Sequence, residues 1–442
     1  MRKKLLLLYP GEFYAGKWGR YIELKPHMIY VYSFLKDLFD VSVVDLENEL
    51  FKPKTERDLV EFKKRALRRV LAIEADYVAI SCWSSLNYLS SKFLAQKIKQ
   101  KKPQTIIIVG GYHPTFVPQD FEYEGTPFDH VIRGEIQNIL KLFSFKTNAG
   151  LQTYEIRPSF RTYPYYKAQK TVGIFLGSGC PFQCHFCMEY KRQWRRLPVS
   201  KAIERVLEIN NDMAPAYIAI FDACFGLDKT WRRAFLAELI KTKIESYFWF
   251  ETRVDLIEEE DIELMSELNL KVDFGIDSFS TTMLNIMNKT RNPASYLQKF
   301  VTLSRKCSEL KILHDAFLIF NHPGETADTY TEFLQFLNET VSPVLAGGYL
   351  RVFFQRYSFF PGSYIFNHID DFKAEYGTEI QLPSWWKQKE NHFLASRAVV
   401  PSKDGAGKPF TVPLDQISVR IKEFNSLSKE KPLWERLHAF NL

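Results

Sequence analysis

Long apolar runs are missing from this chain of 442 residues. The run from Leu5 to Leu8, behind Met1-Arg2-Lys3-Lys4, stops at Tyr9-Pro10. That is too short for the apolar core of a signal peptide and suits a buried first strand. No stretch approaches the ~20 apolar residues of a membrane-spanning helix. Cysteine is scarce, with 6 residues, which argues against a disulfide framework and for a reducing, cytoplasmic setting. Neither sign of charge dominates: 59 Lys and Arg stand against 52 Asp and Glu, a net +7. The basic residues are scattered, as on a solvated face, so no nucleic-acid partner is expected. What the chain does have is aromatic side chains, 15% of residues. That content, with this length, fits two or three domains with sizeable cores and argues against disorder.

Three of the six cysteines share one stretch, Gly179-Cys180-Pro181-Phe182-Gln183-Cys184-His185-Phe186-Cys187. Thiolates are soft ligands that suit zinc or iron–sulfur clusters. A closed zinc site wants four ligands, usually as two paired sets. No second pair follows, because Cys82, Cys224 and Cys307 are isolated. A tight loop that gathers the three thiolates turns His185 away. The stretch therefore predicts a site with three protein ligands and one open position.

The spacing, with aromatic Phe186 just before the last cysteine, resembles the radical SAM family. Further along, Pro323-Gly324-Glu325-Thr326, Asn288-Lys289-Thr290 and Pro361-Gly362-Ser363 are similar to turns of that family. Thr290 stands where a glycine is usual, and Ser178 where an arginine is often found. The resemblance implies a 4Fe-4S cluster on Cys180, Cys184 and Cys187, with the fourth iron left to chelate S-adenosylmethionine (SAM). It implies reductive cleavage of SAM to a 5′-deoxyadenosyl radical, and hence an external one-electron donor such as flavodoxin or ferredoxin.

The first 145 or so residues alternate between short apolar strands and amphipathic helices, which predicts a doubly wound parallel sheet, Rossmann or flavodoxin-like. Ligands in such sheets bind at the carboxyl ends of strands. There the chain places Ser81-Cys82-Trp83-Ser84-Ser85, Gly110-Gly111-Tyr112-His113-Pro114-Thr115 and Arg133-Gly134-Glu135. These stretches look like the cobalamin-binding domain that precedes many radical SAM domains. The resemblance implies cofactor contacts from Trp83, Ser84, Gly110, Gly111, His113, Thr115 and Glu135. The glycines would let the backbone approach a flat ligand, and the hydroxyls would bond its amides or nucleotide tail. The Asp-x-His-x-x-Gly motif that supplies a cobalt-ligating histidine elsewhere is absent, and Trp83 is placed beneath the metal by analogy. A cofactor-free flavodoxin-like domain is the plain alternative.

Residues 146–170 read as an extended linker with Pro158 and Pro164. From Thr171 to about residue 366, six strand–helix units predict a partial (β/α)6 TIM-like barrel. The cysteine loop follows its first strand, at the end where such barrels keep their active sites. Asp222, Glu251, Arg253 and Asp277 fall at the carboxyl ends of the next strands. They are the candidates to hold SAM: carboxylates for its amino group and ribose, Arg253 for a bidentate grip on its carboxylate. Phe186 is expected near the adenine, and Cys224 in the core. Residues 367–442 read as a small C-terminal extension capping the barrel, with helical pieces near 415–424 and 432–440 and an aromatic cluster at Ser384-Trp385-Trp386.

Together these resemblances imply a cobalamin-dependent radical SAM methyltransferase acting on an unactivated carbon of a small-molecule or peptide substrate. One SAM would supply a methyl group through cobalamin and a second the radical. Two alternatives stay open: a radical SAM dehydratase, cyclase or epimerase whose N-terminal domain transfers no methyl group, and a non-catalytic metal-binding scaffold.

Overall fold

The computed structural model describes residues 2–15, 25–143, 152–165, 171–189, 191–388 and 392–429. The chain forms two compact units. The first comprises Met1–Gly173 with Phe360–Gly362 and Leu382–Ala398, the second Ile174–Phe359 with Ser363–Gln381 and Val399–Leu442. Residues 367–442 are thus divided between the two units. The helical piece expected near 432–440 lies outside the described residues.

The first unit holds a five-stranded sheet of β1 (Lys4–Tyr9), β2 (Asp40–Asp45), β3 (Tyr77–Ser81), β4 (Ile106–Gly110) and β5 (His130–Ile132). The order is β2-β1-β3-β4-β5 and every pair is parallel. Leu5 to Leu8 are at most 2% exposed. A central parallel strand is covered on both faces, so it reads as an unbroken apolar run instead of alternating. Three helices cross over the sheet: α1 (Pro26–Leu35), α2 (Glu56–Leu71) and α3 (Tyr88–Lys101). α2 starts with a reciprocal cap between Thr55 and Asp58 and buries Leu59, Phe62, Ala66 and Val70, one stripe of an otherwise charged helix. The strand order reverses between β1 and β3, and the crevice at that switch point is where this topology binds ligands.

A six-stranded sheet joins β6 (Thr171–Ile174), which spans the boundary between the units in sequence, to β7 (Tyr217–Ile220), β8 (Tyr247–Thr252), β9 (Leu270–Asp277), β10 (Leu313–Phe320) and β11 (Leu350–Arg356) of the second unit. The strands follow one another in sequence order, with β6 and β11 at the two edges, as in an unclosed barrel. The pairs from β7 to β11 are parallel. Helices α4 (Val199–Met213), α5 (Lys229–Thr242), α6 (Glu259–Ser266), α7 (Pro293–Glu309) and α8 (Ala327–Phe336) alternate with the strands. A bare edge strand is a template for unwanted pairing. The β11 edge is covered by α9 (Leu414–Ser426): the Asn425 amide accepts from Val352 N at 2.8 Å and donates to Val352 O at 2.7 Å.

Candidate active site

The cysteine loop leaves the carboxyl end of β6. Its stem is closed by Gly177–Ser178 pairing antiparallel with Arg195–Arg196. Gly179 has φ +76°, and a Cβ there would lie 2.2 Å from Gln193 O, so only glycine lets the stem close. Cys184 is buried; Cys180 and Cys187 are half-buried. Burial pushes the Cys187 thiol up to about 12, and Cys184 and Cys180 add to the rise. Burial also raises Cys180, helped by Cys184 and opposed by Arg253 and Lys289. Cys184 and Cys180 thus bear on Cys187 electrostatically, and the cations Arg253 and Lys289 bear on Cys180.

Among the described residues no three His, Cys, Asp or Glu side chains converge on a single metal-ion position. A mononuclear zinc site needs such convergence. A cuboidal cluster takes one thiolate per iron and does not. The three neighbouring thiols and the flanking positive charge fit an anionic, thiolate-bound cluster.

One segment clamps the loop. Ile286 O accepts from His185 Nδ1 at 2.8 Å and Met287 O from His185 N at 2.9 Å. Asn288 Nδ2 donates to Gln183 O at 2.9 Å. Ile286, Met287 and Asn288, the last noticed in the sequence only as part of a family-like turn, thus grip the cysteine loop. His185 is turned to this segment and stacks on Tyr364 with centroids 4.3 Å apart, away from the thiols as expected.

Arg253 is buried beyond the end of β8. It pairs with Asp255 through Nε at 2.9 Å and Nη2 at 2.7 Å, and Nη2 also donates to Lys289 O at 2.6 Å. Nη1 donates to Cys184 Sγ at 3.5 Å, and the guanidinium lies 3.8 Å from the centre of the Phe182 ring. A bidentate grip needs two parallel N–H groups, and this one is already spent on Asp255. The expected bidentate hold on a SAM carboxylate is corrected accordingly: Arg253 serves the cysteine loop.

The other three acids differ in their freedom. Asp222 Oδ1 accepts from Leu176 N at 2.8 Å and Gly177 N at 3.0 Å, fixing the start of the loop. Burial raises its pKa to about 7 in spite of those bonds. Asp277 has φ +69° and is paired with Lys289 Nζ at 2.5 Å. The Glu251 carboxylate has no hydrogen bond or ion pair among the described residues, and the residue is exposed. Protein surrounds it closely enough to raise its pKa, with Lys271 pulling the other way, as for a carboxylate lining an open lumen. Phe186 is half-buried, its ring 6.0 Å from that of His322. Cys224 is buried, as a core residue.

In the first unit, Trp83 follows β3 at the switch point. It is half-buried and stacks on His27, with centroids 4.0 Å apart and planes 6° from parallel. Tyr112 meets Trp83 edge-on at 4.7 Å. His27 sits in the first turn of α1, is buried, and its Nε2 has no hydrogen-bond partner. Burial and Lys25 lower its pKa to about 3, so it stays neutral. Sequence reasoning missed His27, which has no motif around it; its place after β1 was the available signal. A half-exposed indole backed by a neutral imidazole with an orphaned nitrogen fits a flat, polar-edged cofactor such as a corrin.

The remaining residues of that prediction have local duties. His113 Nδ1 lies 2.7 Å from Ser85 Oγ and Nε2 3.3 Å from Asp120 Oδ2, deep in the unit. Asp120 also takes Trp386 Nε1 and Lys387 Nζ, both at 2.6 Å, so His113 and Asp120 anchor the returning segment Leu382–Ala398. His113 is thus corrected from cofactor contact to structural anchor. Gly111 has φ +128°, and a Cβ there would lie 2.3 Å from Cys82 O, so the backbone of the neighbouring loop requires this glycine. A Cβ on Gly110 would meet Ile132 Cβ at an ordinary 3.4 Å. Thr115 Oγ1 donates to Gly111 O at 2.7 Å and accepts from Gly134 N at 2.9 Å. Ser84 caps the turn that follows it, accepting from Leu86 N at 3.2 Å. Glu135 accepts from Thr153 N at 3.1 Å.

Two family models match the chain: the B12 binding domain over residues 28–143 and the radical SAM superfamily over residues 174–337. An uncharacterized methyltransferase of Pyrococcus horikoshii is 26% identical over 63% of this chain and 66% of its own length. The anaerobic magnesium-protoporphyrin IX monomethyl ester cyclase of Rubrivivax gelatinosus is 21% identical over 74% of this chain and 64% of its own. The chain therefore spans just under two thirds of these relatives. Among solved structures, the radical SAM methyltransferase TsrM of Kitasatospora setae, with cobalamin and a 4Fe-4S cluster bound, superposes with TM-score 0.63. That match covers 93% of this chain and 84% of TsrM at 14% identity. The cobalamin-dependent SAM radical enzyme OxsB gives TM-score 0.58 at 16% identity, over 96% of this chain and 62% of its own. The chain thus carries a B12-binding domain followed by a radical SAM domain, in the arrangement of these solved structures. These two domains imply a 4Fe-4S cluster, SAM and cobalamin. No helix among the described residues is long and apolar enough to cross a membrane.

Proposed function

We propose that the chain is a cobalamin-dependent methyltransferase that acts on an unactivated carbon of a small molecule or peptide. The observation that carries this reading is the cysteine loop at the carboxyl end of the first barrel strand, in a chain whose other unit has an aromatic platform at its switch point. The methyltransferase names of a relative and a solved structure support it. When bound, the cluster supplies the electron that cleaves SAM and cobalamin supplies a transferable methyl group. Cys180, Cys184 and Cys187 hold the cluster. Asp222 fixes the entry to their loop, and residues 286–289 fix its far side. Glu251, whose side chain is unpaired, would accept from the ribose hydroxyls of SAM and keep its own charge, while Asp277 is taken by Lys289 and Asp222 by the backbone of the loop entry. Phe186, half-buried beside the loop, would pack near the adenine. Trp83 would offer its indole face to the corrin, with Ser84, Gly110, Gly111, Thr115 and Glu135 shaping the loops around it. A flavodoxin- or ferredoxin-type protein donates the electron.

Anaerobic reconstitution tests these assignments. Wild-type protein should hold about one 4Fe-4S cluster and retain hydroxocobalamin through gel filtration. Replacing all three loop cysteines by Ala should abolish the cluster and SAM cleavage while cobalamin stays bound. Trp83→His should change the cobalt absorbance spectrum. A triple variant that keeps a full cluster, or wild-type protein that releases all its cobalamin, would overturn the reading.

A further inference from the structure

The barrel strands turn one face to the helices and the other to the lumen. The helix-facing side is filled: Phe248, Phe250, Val272, Phe274, Leu318 and Val352 are at most 1% exposed. The lumen side is filled only in part, where Lys271, Asp273, Asp315 and Arg351 are buried. Register sets Trp249 beside Lys271, Glu251 beside Asp273, Asp315 beside Arg351 and Phe317 beside Phe353. Trp249, Phe317 and Phe353 are only half-buried, and Glu251 is exposed. Phe317 and Phe353 lie side by side, with centroids 5.7 Å apart and planes 23° from parallel. A closed eight-stranded barrel packs this space with side chains. Here the unclosed sheet leaves aromatic surface uncovered inside the protein, which is how ligand pockets are lined.

The charges deeper in the lumen are matched among themselves. Lys271 Nζ lies 2.8 Å from Asp273 and 2.5 Å from Asp315. Arg351 grips Asp315 through Nε at 2.8 Å and Nη2 at 2.9 Å. Trp249 Nε1 donates to Asp273 at 2.6 Å, which turns the indole with its polar edge to this network. Nearer the rim, Lys289 is held by Asp277 and Arg253 by Asp255. Each of these cations has its carboxylate, and the polar group left over is itself an anion, Glu251.

We propose that the lumen receives a flat aromatic or conjugated group of the substrate, either uncharged or carrying an N–H donor, and rejects an anionic one. Aromatic faces and edges attract another ring beyond simple area burial. A phosphate or carboxylate brought here would lose its water, find each lumen cation among the described residues already paired with a carboxylate, and face Glu251, the combination by which sites exclude a wrong ligand. Gly275 keeps the wall open on the row of Phe317: a Cβ there would lie 3.3 Å from Lys289 Nζ. The inference rests on the radical SAM reading of the barrel. The adenine of SAM is also flat and aromatic, so the test must separate the two.

Equilibrium dialysis of the reconstituted protein, with and without saturating S-adenosylhomocysteine, makes that separation. The probes are indole, indole-5-carboxylate and cyclohexanecarboxamide, a saturated ring with a neutral N–H donor. Indole should bind saturably, and S-adenosylhomocysteine should not displace it. It should bind about tenfold more tightly than either competitor. Phe317→Leu and Phe353→Leu should each weaken indole several-fold, and Glu251→Gln should shrink the discrimination against the carboxylate. Equal binding of the three probes, absence of saturable indole binding, or displacement of indole by S-adenosylhomocysteine would overturn the proposal. SAM cleavage, measured on the same preparation, keeps the two readings apart. Cleavage without aromatic preference sinks only the substrate class, and aromatic preference without cleavage sinks the proposed function.

Discussion

Arg253 Nη1 donates to Cys184 Sγ at 3.5 Å. The guanidinium cannot drift, because Asp255, the Lys289 carbonyl and the Phe182 ring hold it from three sides. A hydrogen bond to a ligating sulfur withdraws electron density from it and favours the reduced cluster. Arg253→Met should therefore lower the midpoint potential by about 60 mV, a tenfold change for a one-electron couple. Arg253→Lys should restore part of the difference. Redox titration followed by electron paramagnetic resonance reads the shift. An unchanged potential in the methionine variant would show that the contact does not reach the cluster.

Gly111 and Gly110 are adjacent and should behave differently. A methyl group on Gly111 runs into the Cys82 carbonyl at 2.3 Å, backbone against backbone, at a φ that L-residues avoid. Gly111→Ala should destabilise the protein by about 3 kcal/mol. Gly110→Ala, with its nearest neighbour at 3.4 Å, should cost less than about 1 kcal/mol. Denaturant unfolding followed by circular dichroism compares them. Equal losses would mean that the close approach at Cys82 relaxes at no cost.

Asp222 ties stability to pH. Burial raises its folded pKa to about 7 from an ordinary 3.8. Between those two values the folded state binds more protons than the unfolded one, so the Asp222 contribution falls as pH rises from 4 towards 7. Asp222→Asn keeps a carbonyl oxygen for Leu176 N and Gly177 N but cannot ionise. The variant should show a shallower decline of stability over that range. Denaturation midpoints at pH 5, 6 and 7 check this, and parallel slopes for the two proteins would contradict it.

How far the sequence could be read depended on how local each signal was. The cysteine spacing, the unbroken apolar run of Leu5 to Leu8 and the strand–helix alternation are carried by neighbouring residues, and both sheets and the loop stand where those patterns put them. Arg253 was legible as a charged residue at a strand end. Its partners were not, because Cys184 and Lys289 lie far away in sequence. Trp386 and Asp120 are 266 residues apart, and no periodicity announces their bond. Gly111 was noticed for a sound reason, the need for close approach, but the approaching group is the chain's own Cys82. Glu251 became distinctive only when its neighbours proved to be paired and it did not.

The central claim is that a methyl group leaves SAM for a substrate carbon while a second SAM supplies the radical. The most direct measurement follows methyl-labelled SAM through turnover of the reconstituted enzyme with cobalamin, reductant and substrate. The two uses of SAM leave different remnants: methyl donation leaves S-adenosylhomocysteine, and radical formation leaves 5′-deoxyadenosine and methionine. The account predicts both co-products in about equal amounts, with the label recovered in the product. Formation of 5′-deoxyadenosine alone, with an unlabelled product, would contradict it.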